Sequence, residues 1–572
     1  MSTAPKRTAT VGAGWAAAVR ILLFCGAAAF AAAILSDVLR YSVDVPFWDQ
    51  WDFVRLLREI SAGDLSWARL LFTSQGEHQI GMQVLLSAAG WMLTGMYMPA
   101  VMVANWGTAA LFCVLALAVT RRALPPNSTI PWLVLGASSF FVFNPAAYQV
   151  WLWGLPLVHL LVPLLFLAGV FAAQSAIPDR LKIVVAAVAA AAASFILTSG
   201  LLLWAMFPPL LWRWAAPHPF RRERAGTVLF GLALVVSVAP YAMGPHTSPA
   251  PAGAPSGPGV MARFFLAYTG NLVSLAKELT PVGWAQLAGA GLLLFLLAAG
   301  ALAARELHRK PAWGALLIWG AVGGYSILAG AMVTLGRHRF GVPYAVESSR
   351  YVLASSFLPI ACVAVGCLLV AALVDRQPAR RYLFWCVLSG TVVLVLSAGA
   401  FRVLQLDRAR ALMEHGHYRQ LSGKVAASAA NVANLPQFHN IYSTDNHADF
   451  VLSANYLNRR GWLRPLMWDQ RFLEQLASAH PEPAFGTVSA ATVTSETLRL
   501  SGRAHLAGGE RAHAVIVAAI EGRGARILGV LFPGDLAWSG EVAVGPPGST
   551  IRCFAYQAET GEVHLLAGER KL

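Results

Sequence analysis

Long apolar runs alternate with short polar breaks through the first 400 positions of the chain. The first covers about Trp15 to Leu35. Others follow at about 98–120, 130–147, 155–175, 183–197, 199–212, 226–243, 282–304, 311–333, 351–374 and 382–400. Most approach the ~20 residues that a helix needs to cross a bilayer, so the pattern predicts a polytopic α-helical membrane domain of about 11 spans. The run at 80–93 is apolar but only 14 residues long, and reads as an interfacial or re-entrant helix instead. Beyond 401 the pattern changes. Residues 402–433 continue the last run as a polar helix, and two shorter helical patterns lie near 447–459 and 466–479. From about 486, short strand-like runs take over, including TLRLSG, HAVIVAAIE, RILGVLF, GEVAV, TIRCFAY and VHLLA, with Gly, Pro and Asp turns between them. Such spacing predicts a small antiparallel β-sandwich. The organisation is therefore a transmembrane domain at 1–400, a helical connector at 401–485 and a β-sandwich at 486–572.

Composition narrows the class. Charged residues make up 12% of the 572 positions, against about 25% in soluble domains, and 57% are hydrophobic. A soluble enzyme, a disordered chain and a disulfide scaffold are excluded. Cys25, Cys113, Cys362, Cys367 and Cys386 lie within apolar runs, and Cys553 stands alone in the polar tail. No Cys-x-x-Cys or Cys/His ligand spacing occurs, so neither a zinc site nor a disulfide framework is indicated.

The formal net charge of +15 needs no nucleic acid to explain it. Basic clusters stand in short loops, at Arg121-Arg122, at Arg180 and Lys182, at Arg213 with Arg221, Arg222 and Arg224, at Arg305 to Lys310, and at Arg376 to Arg381. If 80–93 is not counted as a span, all five fall on the cytoplasmic side of a cytoplasmic (inner) membrane. The N-terminus is then inside and the C-terminal domain is extracytoplasmic. Outer segments lie at 38–97, 244–281 and 334–350. Within the second, His246 to Gly259 is a Pro/Gly-rich strap, and 260–278 reads as an interfacial amphipathic helix with Arg263 and Lys277 on its polar face.

Candidate chemistry concentrates in these outer segments. Asp44, Asp49 and Asp52 fall within nine residues, interleaved with Trp48 and Trp51, immediately beyond the first span. Carboxylates at an apolar boundary are expensive to desolvate, and their pKa values are perturbed by burial and by one another. The tryptophans offer faces for a sugar ring or anchors at the interface. Asp49 and Asp52 also suit the first turn of a helix that has no function. Glu77 and His78 precede the short apolar helix, where they could orient an acceptor or share a proton, or simply cap the helix.

The segment 334–350 carries Arg337, His338, Arg339, Glu347 and Arg350 on the outer side, against the orientation rule. Guanidinium groups there suit phosphate or pyrophosphate. The competing readings are snorkelling to lipid headgroups and pairing of Arg350 with Glu347. Gln149 and Trp151, in the outer turn Asn144 to Gly154, could line a carbohydrate groove or belong to an interfacial aromatic belt. The middles of the spans hold essentially no charged residues, which favours an enzyme at the membrane face over an ion-coupled carrier.

A first span, an acidic outer loop with juxtamembrane helices, many further spans and an outer C-terminal domain together resemble the GT-C superfamily of integral membrane glycosyltransferases. The protein O-mannosyltransferases, the aminoarabinose transferases of lipid A and the mycobacterial arabinosyltransferases share that architecture. The Asp44 to Asp52 segment looks like the acidic motif of their first loop, and Glu77-His78 like the juxtamembrane region that follows it. The resemblance implies a polyprenyl-phosphate-linked sugar donor and an extracytoplasmic glycan, lipid or protein acceptor, with inversion at the anomeric carbon. Ordinary acid–base and electrostatic chemistry then makes Asp49 the first choice of general base, with Asp52 and Asp44 behind it, and puts Arg350 with Arg337, Arg339 and His338 on the donor phosphate. Glu77, His78, Trp48, Trp51, Gln149 and Trp151 are then the acceptor and sugar contacts. A divalent cation is possible and not required. The alternatives are a lipid-linked saccharide flippase or exporter, and a non-catalytic envelope polysaccharide assembly protein.

Overall fold

The computed structural model describes residues 7–75, 78–153, 157–215, 219–243, 257–273, 282–374, 381–494, 496–522 and 524–572. The described residues are 68% helical. Among the described residues, seven helices are long and apolar enough to cross a membrane: Gly14–Tyr41, Met98–Ala123, Arg224–Ala242, Val282–Leu307, Trp313–Phe340, Arg350–Val374 and Tyr382–Ala429. An eighth is reached if Ile130–Val142 and Pro145–Leu152, bent by 46°, count as one span. The bend has a local cause. Pro145 lacks the donor that would continue the ladder, and the Asn144 side chain accepts the Ala146 N–H at 2.9 Å, restarting the chain in a new direction. Arg402 donates to the carbonyls of Phe140 and Phe143 at 2.5 and 2.6 Å, satisfying acceptors that the break leaves over.

Eleven spans were expected, and three of the expected runs are shorter helices. Leu157–Ala173, Asp179–Ser194 and Leu203–Trp214 have 17, 16 and 12 residues. At ~1.5 Å per residue the last two reach only about 18–24 Å, less than the ~30 Å hydrocarbon core. A 3₁₀ turn, Thr198–Leu202, separates them, and Pro208 and Pro209 lie inside the second. Gly200 is required in that turn, because a Cβ there would lie 2.0 Å from the Ala193 carbonyl oxygen. The short helix at 80–93 is present as Gly81–Thr94, 14 residues. Of the outer segment 244–281, residues 244–256 and 274–281, including Lys277, lie outside the described residues; Pro258–Thr269 is a helix.

The chain forms two compact units. One comprises Met1–Arg40, Trp67–Ser87 and Met102–Met413; the other comprises Tyr41–Ser66, Ala88–Val101 and Glu414–Leu572. The acidic segment read from sequence as part of the membrane domain thus clusters with the C-terminal region.

In the first unit, small residues permit close backbone approach. Ala285 and Gly289, four apart on Val282–Leu307, meet the end of Pro258–Thr269: a Cβ on Gly270 would lie 1.9 Å from the Ala285 oxygen, and one on Gly289 2.1 Å from the Leu266 oxygen. This is a small-xxx-small contact. Gly289→Leu should destabilise the chain by ~3 kcal/mol or more, since the obstruction is backbone that cannot swing aside. Gly291→Leu, on the same helix with nothing within 4 Å, is the matched control. Equal thermal midpoints of the two variants in detergent would refute the contact's importance.

Four basic clusters meet at one end of this unit. Arg122 at the end of Met98–Ala123, Arg213 near the end of Leu203–Trp214, and Pro311, following Lys310, line one pocket. Lys182 donates to the Trp214 carbonyl at 2.9 Å. Residues 375–380 of the fifth cluster lie outside the described residues. The segment 334–350, expected as a loop, is largely helical: Trp313–Arg337 runs into the turn His338–Phe340, and Tyr344–Glu347 and Arg350–Ser355 follow. A two-residue hairpin, β1 (Ser74–Gln75) with β2 (His78–Gln79), belongs to the same unit.

The second unit ends in the expected sandwich. Its strands are β3 (Gly486–Val493), β4 (Thr497–Ala504), β5 (Ala514–Glu521), β6 (Gly524–Leu531), β7 (Ala537–Ala543), β8 (Thr550–Tyr556), β9 (Val563–Leu565) and β10 (Arg570–Lys571). One antiparallel sheet has the order β10-β8-β5-β6 with β9 also on β8; the other is β3-β4-β7. Alternation in β4 buries Leu498 and Leu500 and leaves Arg499 exposed, the period of a sheet with one wet face. Leu498, Leu500, Val515, Val517, Trp538 and Cys553 share one core. β5 is buried almost throughout, with the helix Gln470–Ser478 packed on its sheet.

Candidate functional site

In the second unit the helix Asp49–Ala62 places the first-loop carboxylates. It starts abruptly. Trp48 has φ 51° and ψ −118°, an unusual conformation for a residue with a side chain. Its N–H donates to the Ile441 carbonyl at 2.5 Å, Gln50 Oε1 accepts the Phe47 N–H at 2.8 Å, and Trp51 Nε1 donates to the Pro46 carbonyl at 2.8 Å. Such strain persists where several contacts over-determine it, and it clusters at functional sites.

Asp49 and Asp52 occupy the first helical turn, where the positive end of the helix favours them. Three residues apart, they share a face. Burial pushes the Asp52 carboxyl up to about 6, and the charges of Asp49 and Asp449 add to the shift against the opposing Arg55. Arg55 Nε lies 4.0 Å from Asp52 and 4.0 Å from Asp449, while its Nη1 holds Glu59 at 2.8 Å. Arg58 pairs with Asp449 at 2.7 Å, and the Tyr442 hydroxyl donates to the other Asp449 oxygen at 3.1 Å. Burial raises Tyr442 to about 12, which keeps it a donor. Asp449 and Tyr442 are members that the sequence did not expose. Asp449 is announced only as a helix-start residue, its N–H donating to the Asn446 cap at 3.0 Å.

Asp44 goes elsewhere. Its Oδ1 accepts the Met98 N–H at 2.9 Å. Burial raises its carboxyl, opposed by that bond and by the charges of Lys424 and Arg464. It anchors the chain rather than joining Asp49 and Asp52. Trp51 also departs from expectation: it is fully buried, 4.8 Å from Phe450 and 6.3 Å from Tyr442, so its ring is core and has no face left for a sugar. Trp48 keeps part of its surface, stacked on Phe47 with the Arg419 guanidinium 6.0 Å from its ring.

The pH dependence of stability follows from Asp52. Its folded-state pKa lies above the unfolded value near 3.8, so its favourable contribution is complete below pH ~4 and lost as pH rises through about 6. Asp52→Asn should therefore gain stability relative to wild type between those limits, by ~1–2 kcal/mol once the remaining solvent exposure is allowed for. Thermal midpoints of both proteins at pH 4.5 and 7.5 test this; a gap that does not widen at the higher pH refutes it.

In the first unit a cationic, aromatic cluster forms around Arg350. Its Nη2 donates to the Tyr344 hydroxyl at 3.2 Å, and the guanidinium lies 5.7 Å from the rings of both Trp153 and Tyr351. The Gln149 N–H donates to Ser349 Oγ at 3.1 Å, tying the turn after the bent helix to the start of Arg350–Ser355. His78 Nδ1 lies 2.7 Å from Thr198 Oγ1. Arg337 lies 5.7 Å from the Phe340 ring, which contacts Tyr344 at 5.2 Å, so aromatic contacts run from Arg337 to Arg350. His338 Nδ1 is 3.0 Å from the Thr334 carbonyl, and Arg339 is half-buried nearby in the chain.

Trp151 is a correction. It is fully buried, stacked on Phe143 at 5.9 Å, and its Nε1 donates to the Asn144 carbonyl at 2.9 Å. Its ring braces the bend and is closed to carbohydrate; Trp153 takes the place near Arg350. Glu77 lies outside the described residues. Among the described residues no group of three or more His, Cys, Asp or Glu side chains is placed to hold a metal ion.

No protein-family model, no curated protein and no solved structure matches the chain.

Proposed function

We propose that this multi-pass protein is a membrane glycosyltransferase of GT-C type, moving a sugar from a polyprenyl-phosphate donor to the hydroxyl of an extracytoplasmic acceptor. The observation that carries the reading is the Asp49–Asp52 pair, with a carboxyl held near pH 6 at the start of a strained helix turn. A base acts best when its pKa lies near the working pH. The acceptor oxygen attacks the anomeric carbon as its proton passes to the carboxylate. The bond from that carbon to the phosphate oxygen breaks, and the electron pair leaves on the phosphate. Inversion follows from a single displacement.

Arg350 supplies charge for the phosphate, in a setting of Tyr344 and Trp153 that suits a phosphorylated sugar. The gathering of four basic clusters at one end of the membrane unit supports the orientation with that end in the cytoplasm. Incubating the purified chain with polyprenyl-phosphate sugars and candidate acceptors should release free polyprenyl phosphate. Movement of intact lipid-linked sugar across proteoliposomes without bond cleavage would replace this reading by that of a flippase.

A further inference from the structure

At the basic end of the membrane unit, a pocket of about 320 Å³ opens between the ends of three segments. That volume lies at the lower limit of ligand pockets, ~300–1,000 Å³. Its lining contains two guanidinium groups, Arg122 and Arg213, and no carboxylate.

The walls are built. Trp214 sits on the first turn of Trp313–Arg337 because position 314 is glycine: a Cβ there would lie 2.8 Å from the indole. The Trp214 carbonyl is held by Lys182, itself paired with Asp179 at 3.1 Å. Arg122 is fixed by its Nη1, which donates to the Phe171 carbonyl at 3.1 Å, and by the Phe171 ring, 3.6 Å from its guanidinium centre. Its remaining donors stay available. Arg213 is exposed, and among the described residues it has no hydrogen-bonding or ionic partner. Two unneutralised guanidinium groups in one hollow repel each other unless an anion lies between them. Planar, multi-donor cations match the oxygens of phosphate, and basic pockets between membrane helices suit phospholipid headgroups.

We propose that this pocket binds a phosphate group, carried by an anionic lipid headgroup or presented as free phosphate, with Arg213 and Arg122 as its cationic contacts and Trp214 as its wall. The site is separate from Arg350: the 25-residue helix Trp313–Arg337 begins at the pocket and leads to the Arg350 segment at its far end.

Native mass spectrometry of the full chain in detergent tests it, with dioctanoyl-phosphatidylglycerol as the anionic probe, dioctanoyl-phosphatidylcholine as the neutral one, and inorganic phosphate as competitor. Wild type should retain phosphatidylglycerol in preference to phosphatidylcholine, or shift its thermal midpoint with inorganic phosphate alone. Arg213→Gln should lower occupancy by the effective probe ~10-fold with no change in the ligand-free thermal midpoint. Arg121→Gln, beside the pocket and outside its lining, should bind as wild type does. Displacement of the lipid by millimolar phosphate assigns the site to free phosphate; resistance to displacement assigns it to the headgroup. Equal losses in Arg213→Gln and Arg121→Gln, no loss in the Arg122→Gln/Arg213→Gln pair, or no binding of either probe by wild type would each overturn the site.

Discussion

Asp49→Asn is expected to lower sugar-transfer turnover by ~10²–10⁴-fold, the range a positioned general base contributes, with expression and membrane insertion unchanged. Asp52→Asn should fall in the same range, because the two carboxylates share one helical turn and the Asp49 charge helps to raise Asp52. The direction with pH is set by the requirement for an ionised base. Asp52 is raised to about 6, by burial first and by Asp49 second, so turnover should climb as pH rises through about 6 and level off above it. Removing the Asp49 charge takes away the second cause, and the rising limb of any residual activity should move to lower pH. Release of polyprenyl phosphate, followed by mass spectrometry across pH 4.5–8, gives both numbers. Undiminished turnover in either variant, or a limb that stays in place in Asp49→Asn, removes the pair from the chemistry.

Arg350→Ala should weaken donor binding by ~10–100-fold, the equivalent of one charge-assisted hydrogen bond at ~1.5–3 kcal/mol. Arg350→Lys should recover only part of that, since an ammonium keeps the charge but loses the planar fork. Tyr344→Phe separates binding from scaffolding. It deletes the hydroxyl that accepts from Arg350 at 3.2 Å and so removes one competitor for its donors, and donor affinity should hold or rise. Titration of a short-chain polyprenyl phosphate into the purified protein by calorimetry reads the dissociation constants. Equal constants for wild type and Arg350→Ala would strip the residue of a phosphate role.

Element identity was legible wherever the pattern was long or regular. The helices at 447–459 and near 466–479 are His447–Arg459 and Gln470–Ser478, and the six quoted strand runs all lie within β4 to β9 or at their edges. The breaks inside apolar stretches were not legible. Hydropathy is a sum over a window, and it does not register the 3₁₀ turn Thr198–Leu202 or the bend at Asn144, where hydrophobicity continues while direction changes. Trp48, Trp51 and Trp151 look alike in sequence, yet only Trp48 retains exposed surface; the other two are closed by Phe450 and Phe143, partners that no local signal identifies. The acidic cluster was half visible. Asp49 and Asp52 announced themselves by proximity, but Asp449 reaches Arg58 across 391 positions of sequence.

The amino-acid sequence determined the class of the molecule on its own: apolar runs of bilayer length, positive charge in short loops and a strand-patterned tail are local or additive properties, and they survive without knowing which segments touch. The tertiary structure alone decided how the polar groups were sorted. It turned Asp44 toward the Met98 N–H, joined Asp449 and Tyr442 to Asp52, set Arg350 among Tyr344 and Trp153, and placed Arg122 and Arg213 around one hollow. Protonation state and partner choice depend on distance and burial, which are properties of the packed chain, so they could be read only once it had folded.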